Sequence, residues 1–234
     1  MLVAQQPVQQ PPPQAATPQQ PPPPLTNPPP RSGPVVVLDP SHGGTDTGAR
    51  GAGGIVEKDV VLMFARIARG ELERLGFRVV MTRNGDSNPS YDERAAIANA
   101  YRDAIFISFH VSSTGTIGTA RAYSYQFSTP LETPAPSHGL IVWEEAQQPY
   151  LAASHRLADL LQVELSPRFA ASPLASAAVA VRELRSVATP AVAVEISSVS
   201  VVDPITLTQM AAPLATSIGR GVLAFRPAES AGTK

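Results

Sequence analysis

No cysteine occurs in the 234 residues. Disulfides, thiolate metal sites and cysteine nucleophiles are excluded together. The absence suits any redox compartment, although an oxidising one gives a chain reason to lose stray thiols. Charge of one sign is lacking too: 18 basic against 19 acidic residues leave a net charge of −1. No basic stripe offers a footprint for nucleic acid or anionic lipid. No apolar run approaches the roughly 20 residues of a membrane span. The opening Met1-Leu2-Val3-Ala4 has neither the basic region nor the apolar core of an export signal. A cytoplasmic protein, or a chain numbered after a removed signal, would look like this. A Pro/Gln-rich start suits a linker better than a true beginning. It favours the second reading and places the protein in the periplasm or outside the cell.

Proline is abundant and uneven. Residues 1–33 hold 12 of the 25 prolines, seven glutamines and one charge, Arg31. Such a stretch cannot bury enough apolar surface to offset its ordering entropy, so a disordered or partly polyproline-II arm is expected there. A flexible spacer is its natural role. Residues 34–228 suffice for one domain with a substantial core, followed by a short tail over 229–234.

Within that domain, Val35 to Leu38 reads as a strand buried on both faces, because its apolar residues are continuous rather than alternating. It runs into Asp39-Pro40-Ser41-His42-Gly43-Gly44, a tight loop for which glycine supplies the unusual backbone angles. Glu57 opens a helix with Val61, Phe64, Ala65, Ala68, Leu72 and Leu75 on one face, and Gly76 stops it. Phe77 to Met81 completes a βαβ unit with a parallel pair. Ser90-Tyr91-Asp92-Glu93 is a capping-box pattern starting a helix through Tyr101. Ile105 to Phe109 is the third strand, ending at His110. Arg121 to Phe127 alternates weakly and reads as an edge strand. Residues 128–136 form a proline-rich insertion and, with the segment to 150, a candidate flap. Tyr150 to Leu165 is helical through Leu157, Leu160 and Leu161. Ala177–Leu184 and Pro190–Ile196 read as short strands. The final helix, 205–225, turns Leu214, Ile218 and Val222 inward. This alternation implies a single α/β domain, with a twisted, mostly parallel sheet and helices on both faces.

His42, His110 and Glu195 each fall at or near the carboxyl end of a strand, where open α/β sheets build their sites. Zinc takes histidine nitrogen and carboxylate oxygen at about 2.0–2.2 Å and, when catalytic, keeps one position open. His42, Glu57 and His110 supply such a three-ligand set. Glu195 sits in an apolar run, where a carboxylate is costly without a purpose, and is the candidate general base and acid. Each residue has a plainer reading. Glu57 suits the dipole of a helix start. A strand-end histidine is commonly a hydrogen-bonded loop residue. Glu195 has Arg182 or Arg185 as structural ion-pair partners. His138 and His155 are read as surface or packing residues, and Arg83 and Arg94 as order for the loop after the second strand.

Taken in register, several motifs resemble the zinc-dependent N-acetylmuramoyl-L-alanine amidases of the amidase-3 type. They are Asp39-Pro-Ser-His-Gly-Gly-Thr-Asp-Thr-Gly-Ala49 with Glu57-Lys58, Thr82-Arg83, Arg94 with Ala98-Asn99, Ser108-Phe-His110, and Pro190-Ala-Val-Ala-Val-Glu195. The resemblance runs from about residue 35 to 225. It implies zinc on His42, Glu57 and His110, and Glu195 as the catalytic residue. It implies hydrolysis of the amide between N-acetylmuramic acid and L-alanine in peptidoglycan. Peptidoglycan is then the expected partner, with no nucleic acid and no membrane span, and a monomer is expected. A protein activator stays open. Three departures bear on substrate contacts and subfamily: Ser41 replaces a usual glycine, Val111-Ser112-Ser113 replaces a nearby Asn or Asp, and Ile196-Ser-Ser-Val-Ser200 replaces an aromatic stretch ending Ser-Asn. Two rival readings stay open on the sequence, a non-catalytic wall-binding module on the same fold and a zinc hydrolase of another amide.

Overall fold

The computed structural model describes residues 33–51, 54–127, 142–200 and 205–225. The expected arm through residue 32, His138, the insertion 128–136 with the segment to 141, and the tail lie outside the described residues. Among the described residues six strands appear in chain order: β1 Val35–Pro40, β2 Arg78–Met81, β3 Ile105–Ser112, β4 Thr119–Tyr125, β5 Ala177–Val179 and β6 Ala191–Ser197. Four α-helices of the described residues accompany them: α1 Glu57–Arg74, α2 Tyr91–Asn99, α3 Leu151–Leu165 and α4 Ile205–Phe225. They form one sheet of order β2-β1-β3-β6-β4-β5. All neighbouring pairs are parallel except β4 against β6.

The continuous apolar runs of β1, β3 and β6 have the expected cause, since these strands are covered on both faces. Val36, Leu38, Ile107, Phe109, Val111, Val192, Val194 and Ile196 point to one face. There α1, α3 and α4 close over them, contributing Phe64, Ala65, Leu157, Leu161, Leu214 and Ile218. Val37, Phe106, Ala191 and Ala193 point to the other face, which α2 covers with Ala95 and Ala98. Among the described residues helices thus lie on both faces, three against one. The capping box at α2 is complete. The Ser90 hydroxyl accepts from the Glu93 amide at 3.3 Å, and the Glu93 carboxylate accepts from the Ser90 amide at 2.7 Å.

Three sequence expectations need correction. β4 is not an edge strand. It lies between β6 and β5, so β5 forms that edge. Its alternation follows its burial: Ala120 and Ala122 enter the larger core, while on the opposite side Arg121 is exposed, Tyr123 is half-buried and Tyr125 joins the smaller core. Residues 177–184 are not one strand. β5 ends at Val179, and Arg182–Leu184 forms a single 3₁₀ turn that buries Glu183 and Leu184. β3 does not stop before His110 but carries it, continuing to Ser112. Of the candidate flap, residues 143–150 form two short 3₁₀ turns. They are pinned by the buried Gln147 amide, which donates to the carbonyls of Val187 at 2.6 Å and Thr189 at 2.9 Å.

Candidate metal centre

The site forms where β1 and β3 end and α1 begins. β1 runs into the loop carrying His42, whose φ of 64° lies in the left-handed region that non-glycine residues rarely enter. Such a conformation persists only where the surroundings over-determine it, and here two buried arginines do so. Arg83 donates to the carbonyls of Pro40 at 2.7 Å and Ser41 at 3.0 Å. Arg94 donates to the His42 carbonyl at 2.9 Å and pairs with the buried Asp39 carboxylate. Both also hold the loop after β2, through the carbonyls of Gly85 and Pro89. Their expected ordering role therefore extends to the loop that carries His42.

Glu57 enters from the first turn of α1 and is buried. Its two oxygens accept from the Ala49 amide at 2.8 Å and the Val111 amide at 2.9 Å. His42 Nε2 lies 3.2 Å from one carboxylate oxygen, and His110 Nδ1 lies 3.1 Å from the other. Donor atoms of His42, Glu57 and His110 all fall within 4.8 Å of one another. Close packing here leaves no room for a side chain at Gly48. A Cβ there would stand 2.5 Å from Glu57 Oε2 and 2.7 Å from His42 Cδ2, at a φ of 62°.

Electrostatics follow from the geometry. Burial disfavours charge on Glu57, yet the imidazoles of His110 and His42 and the two amides hold its carboxyl far below the usual range. The Glu57 carboxylate, helped by Asp46, raises His42 against its burial. Burial likewise opposes charge on His110, but the Glu183 and Glu57 carboxylates outweigh it and raise the imidazole to about 10. An anion between two imidazoles, with donors this close, is a group that could hold a metal ion. Two nitrogens and a carboxylate oxygen match the donor set of zinc, and such ligands bind the ion in their deprotonated forms.

Glu195 stands beside this group. Its Cα is the register partner of His110 across the parallel β3–β6 pair, so both side chains emerge on the same face. Its carboxylate accepts from the Tyr123 hydroxyl at 3.4 Å. Burial and the Glu195 charge hold that phenol above its usual range, so it remains a donor. The plainer reading of Glu195 finds no support among the described residues. Arg182 instead lies over the Tyr91 ring at 4.9 Å, and Arg185 donates to the Glu144 carbonyl at 3.0 Å. His155 is a packing residue on α3, with Nδ1 3.1 Å from the Ser124 hydroxyl.

Two site residues escape a reading of the sequence alone. Asp46 accepts from His42 Nδ1 at 2.9 Å. Glu183 is buried on the 3₁₀ turn, and its carboxylate meets His110 Nε2. Asp46 is only four residues from His42, so its proximity is a signal the chain does carry. Glu183 lies 73 residues from His110 with no motif around it, and only the fold brings the two together.

A family model described as N-acetylmuramoyl-L-alanine amidase matches residues 36–223. N-acetylmuramoyl-L-alanine amidase AmiC of Neisseria meningitidis serogroup B is 46% identical over 80 residues, covering 34% of this chain and 19% of that protein. AmiA of Escherichia coli K12 is 48% identical over 77 residues, covering 32% of this chain and 26% of that protein. The matched segment thus spans about a quarter or less of these relatives' length. The crystal structure of Ami1 from Mycobacterium smegmatis shares the fold with a TM-score of 0.63 at 22% identity, over 83% of this chain and 97% of that one.

Proposed function

The chain belongs to the N-acetylmuramoyl-L-alanine amidase family, and from that premise we propose that it is a zinc-dependent hydrolase of the amide between N-acetylmuramic acid and L-alanine in peptidoglycan. The observation that carries this reading is the convergence of His42, Glu57 and His110, with Glu195 beside them on the same sheet face. In this reading His42, Glu57 and His110 hold the ion. When bound, zinc supplies the Lewis acidity that polarises an amide carbonyl and acidifies water.

The remaining work falls to side chains. Glu195, steadied by Tyr123, takes a proton from the attacking water and returns it to the departing amine nitrogen. The water's oxygen ends on the carbonyl carbon and the carbon–nitrogen bond breaks, so the products are a lactyl carboxylate and a free stem-peptide amine. Arg83 and Arg94 keep His42 in its rare backbone conformation through both halves of the reaction. A cavity of about 290 Å³ adjoins the two imidazoles, lined by His42 and His110 with Ser41, Asp46, Tyr91 and Arg94 among others. Such a substrate lies outside the cytoplasmic membrane, so action in the periplasm or outside the cell belongs to the same proposal. Among the described residues no helix is long and apolar enough to cross a membrane.

The test is turnover of purified peptidoglycan by the wild type and Glu195→Gln, with mass analysis of the products. Zinc-loaded wild type is expected to release intact stem peptides with a free L-alanine amine. Glu195→Gln is expected to bind zinc equally and to turn over about 10²–10⁴-fold more slowly, the usual contribution of a positioned acid–base group. Binding to peptidoglycan without release would instead support a wall-binding module. Cleavage of free peptides alone would point to another amide.

A further inference from the structure

His110 carries more acceptors than a metal ligand requires. Nδ1 faces Glu57 at 3.1 Å, while Nε2 meets the buried Glu183 carboxylate and lies 2.8 Å from the Ser41 hydroxyl. The serine belongs to a chain with a fixed direction. The Asp39 carboxylate, paired with Arg94, can only accept, and it takes the Ser108 hydroxyl at 3.2 Å. With its proton so committed, the Ser108 oxygen accepts from Ser41, 2.9 Å away. The Ser41 oxygen is then left with lone pairs toward Nε2. Glu183 likewise offers only lone pairs. Two routes that share no residue therefore both demand a proton on Nε2 of His110.

We propose that Glu183, together with the Asp39–Ser108–Ser41 chain, is a positioning device that fixes His110 as its Nε2–H tautomer and turns the Nδ1 lone pair to the metal. The inference rests on the zinc site proposed for this chain. It makes the two imidazoles opposite in sense. His42 gives its Nδ1 proton to Asp46 and presents Nε2, whereas His110 gives its Nε2 proton to Glu183 and presents Nδ1. Each ring is held by a carboxylate at the nitrogen facing away from Glu57. A neutral imidazole that can flip or exchange tautomers spends part of its time with the wrong nitrogen forward, and affinity falls by that fraction. Outer carboxylates of this kind also raise the basicity of the ligating nitrogen.

Two measurements test the proposal without reference to turnover. In zinc-loaded wild type, long-range proton–nitrogen correlation spectra of the histidine rings read the tautomer directly. His110 should show its ring proton on Nε2 and His42 on Nδ1. Zinc dissociation constants, taken by competition with a chromophoric chelator, should weaken about 10–100-fold in Glu183→Ala, the range usual for loss of an outer-shell partner. Glu183→Gln, which keeps an acceptor oxygen without the charge, should recover part of that loss. Ser41→Ala should weaken zinc less than Glu183→Ala does. A proton on Nδ1 of His110 in the zinc-loaded wild type overturns the proposal, as does a Glu183→Ala affinity within twofold of wild type. A wild type that binds no zinc removes the metal reading and this inference with it. Zinc bound at wild-type strength by the variant removes the inference alone.

Discussion

The two faces of the sheet are built on different physical terms. On the face covered by α1, α3 and α4, stability comes from apolar burial. Leu161, Leu214, Ile218 and Val222 are fully buried, and α4 approaches α3 so closely at Gly221 that a Cβ there would meet Leu161 Cδ2 at 2.6 Å. On the other face, β1 and β3 carry buried Asp39 and Ser108 in register, with Arg94 and Thr82 satisfying the carboxylate. Nothing there is bare, since every fully buried side-chain nitrogen and oxygen among the described residues has a hydrogen-bond partner. The apolar face tolerates loss in proportion to volume. The polar face fails when one partner goes, because the other is left charged and unsolvated. The proposed cation site joins the two, taking His110 from the second kind of face and Glu57 from α1, which covers the first.

That contrast can be broken by substitution, and the largest effect is expected at the ion pair. Arg94→Ala should cost about 3–5 kcal/mol, since it strands Asp39, and should lose zinc affinity as the His42 loop slackens. Denaturant unfolding and chelator competition on the same protein check both. Leu161→Ala on the apolar face should cost about 2–5 kcal/mol and leave the zinc affinity of the folded protein unchanged. A parallel loss of affinity would show that the faces do not act separately. Gly48→Ala should destabilise by about 1–2 kcal/mol, the usual cost of a left-handed L-residue. It should also lower zinc affinity, because the added carbon displaces Glu57 or His42. The smallest effect sharpens the boundary: Ser90→Ala should cost about 1 kcal/mol through the α2 cap. Zinc binding should survive it, since Ser90 only borders the cavity beside the imidazoles.

Much of the fold is legible in the chain because it is local or repetitive. The run Val35–Leu38, the apolar face of α1 from Val61 to Leu72, the Ser90–Glu93 box and the bounds of α4 each express a backbone period or a cap. The candidate ligands are legible because strand ends and a helix start bracket them. Ser41 stands out as a departure from the family pattern, but its position 2.8 Å from His110 Nε2 cannot be read from the chain. β4 misleads because one of its faces is partly wet at Arg121 and Tyr123, which gives it the alternation of an edge strand although β5 pairs beyond it. The stretch 177–184 misleads because the apolar run 177–181 continues past the end of β5, and nothing in it signals the 3₁₀ turn that buries Glu183 and Leu184.

The sequence by itself determined the order of strands and helices and the identity of the residues able to bind a metal, since both depend on neighbours a few positions away. Only the tertiary structure decided that Glu183 reaches His110, that Tyr123 donates to Glu195, and which imidazole nitrogen faces Glu57. Those are distances between segments 53 to 73 residues apart. They are set by strand order and register, which arise when whole surfaces are buried against each other, and no single stretch of chain encodes that choice.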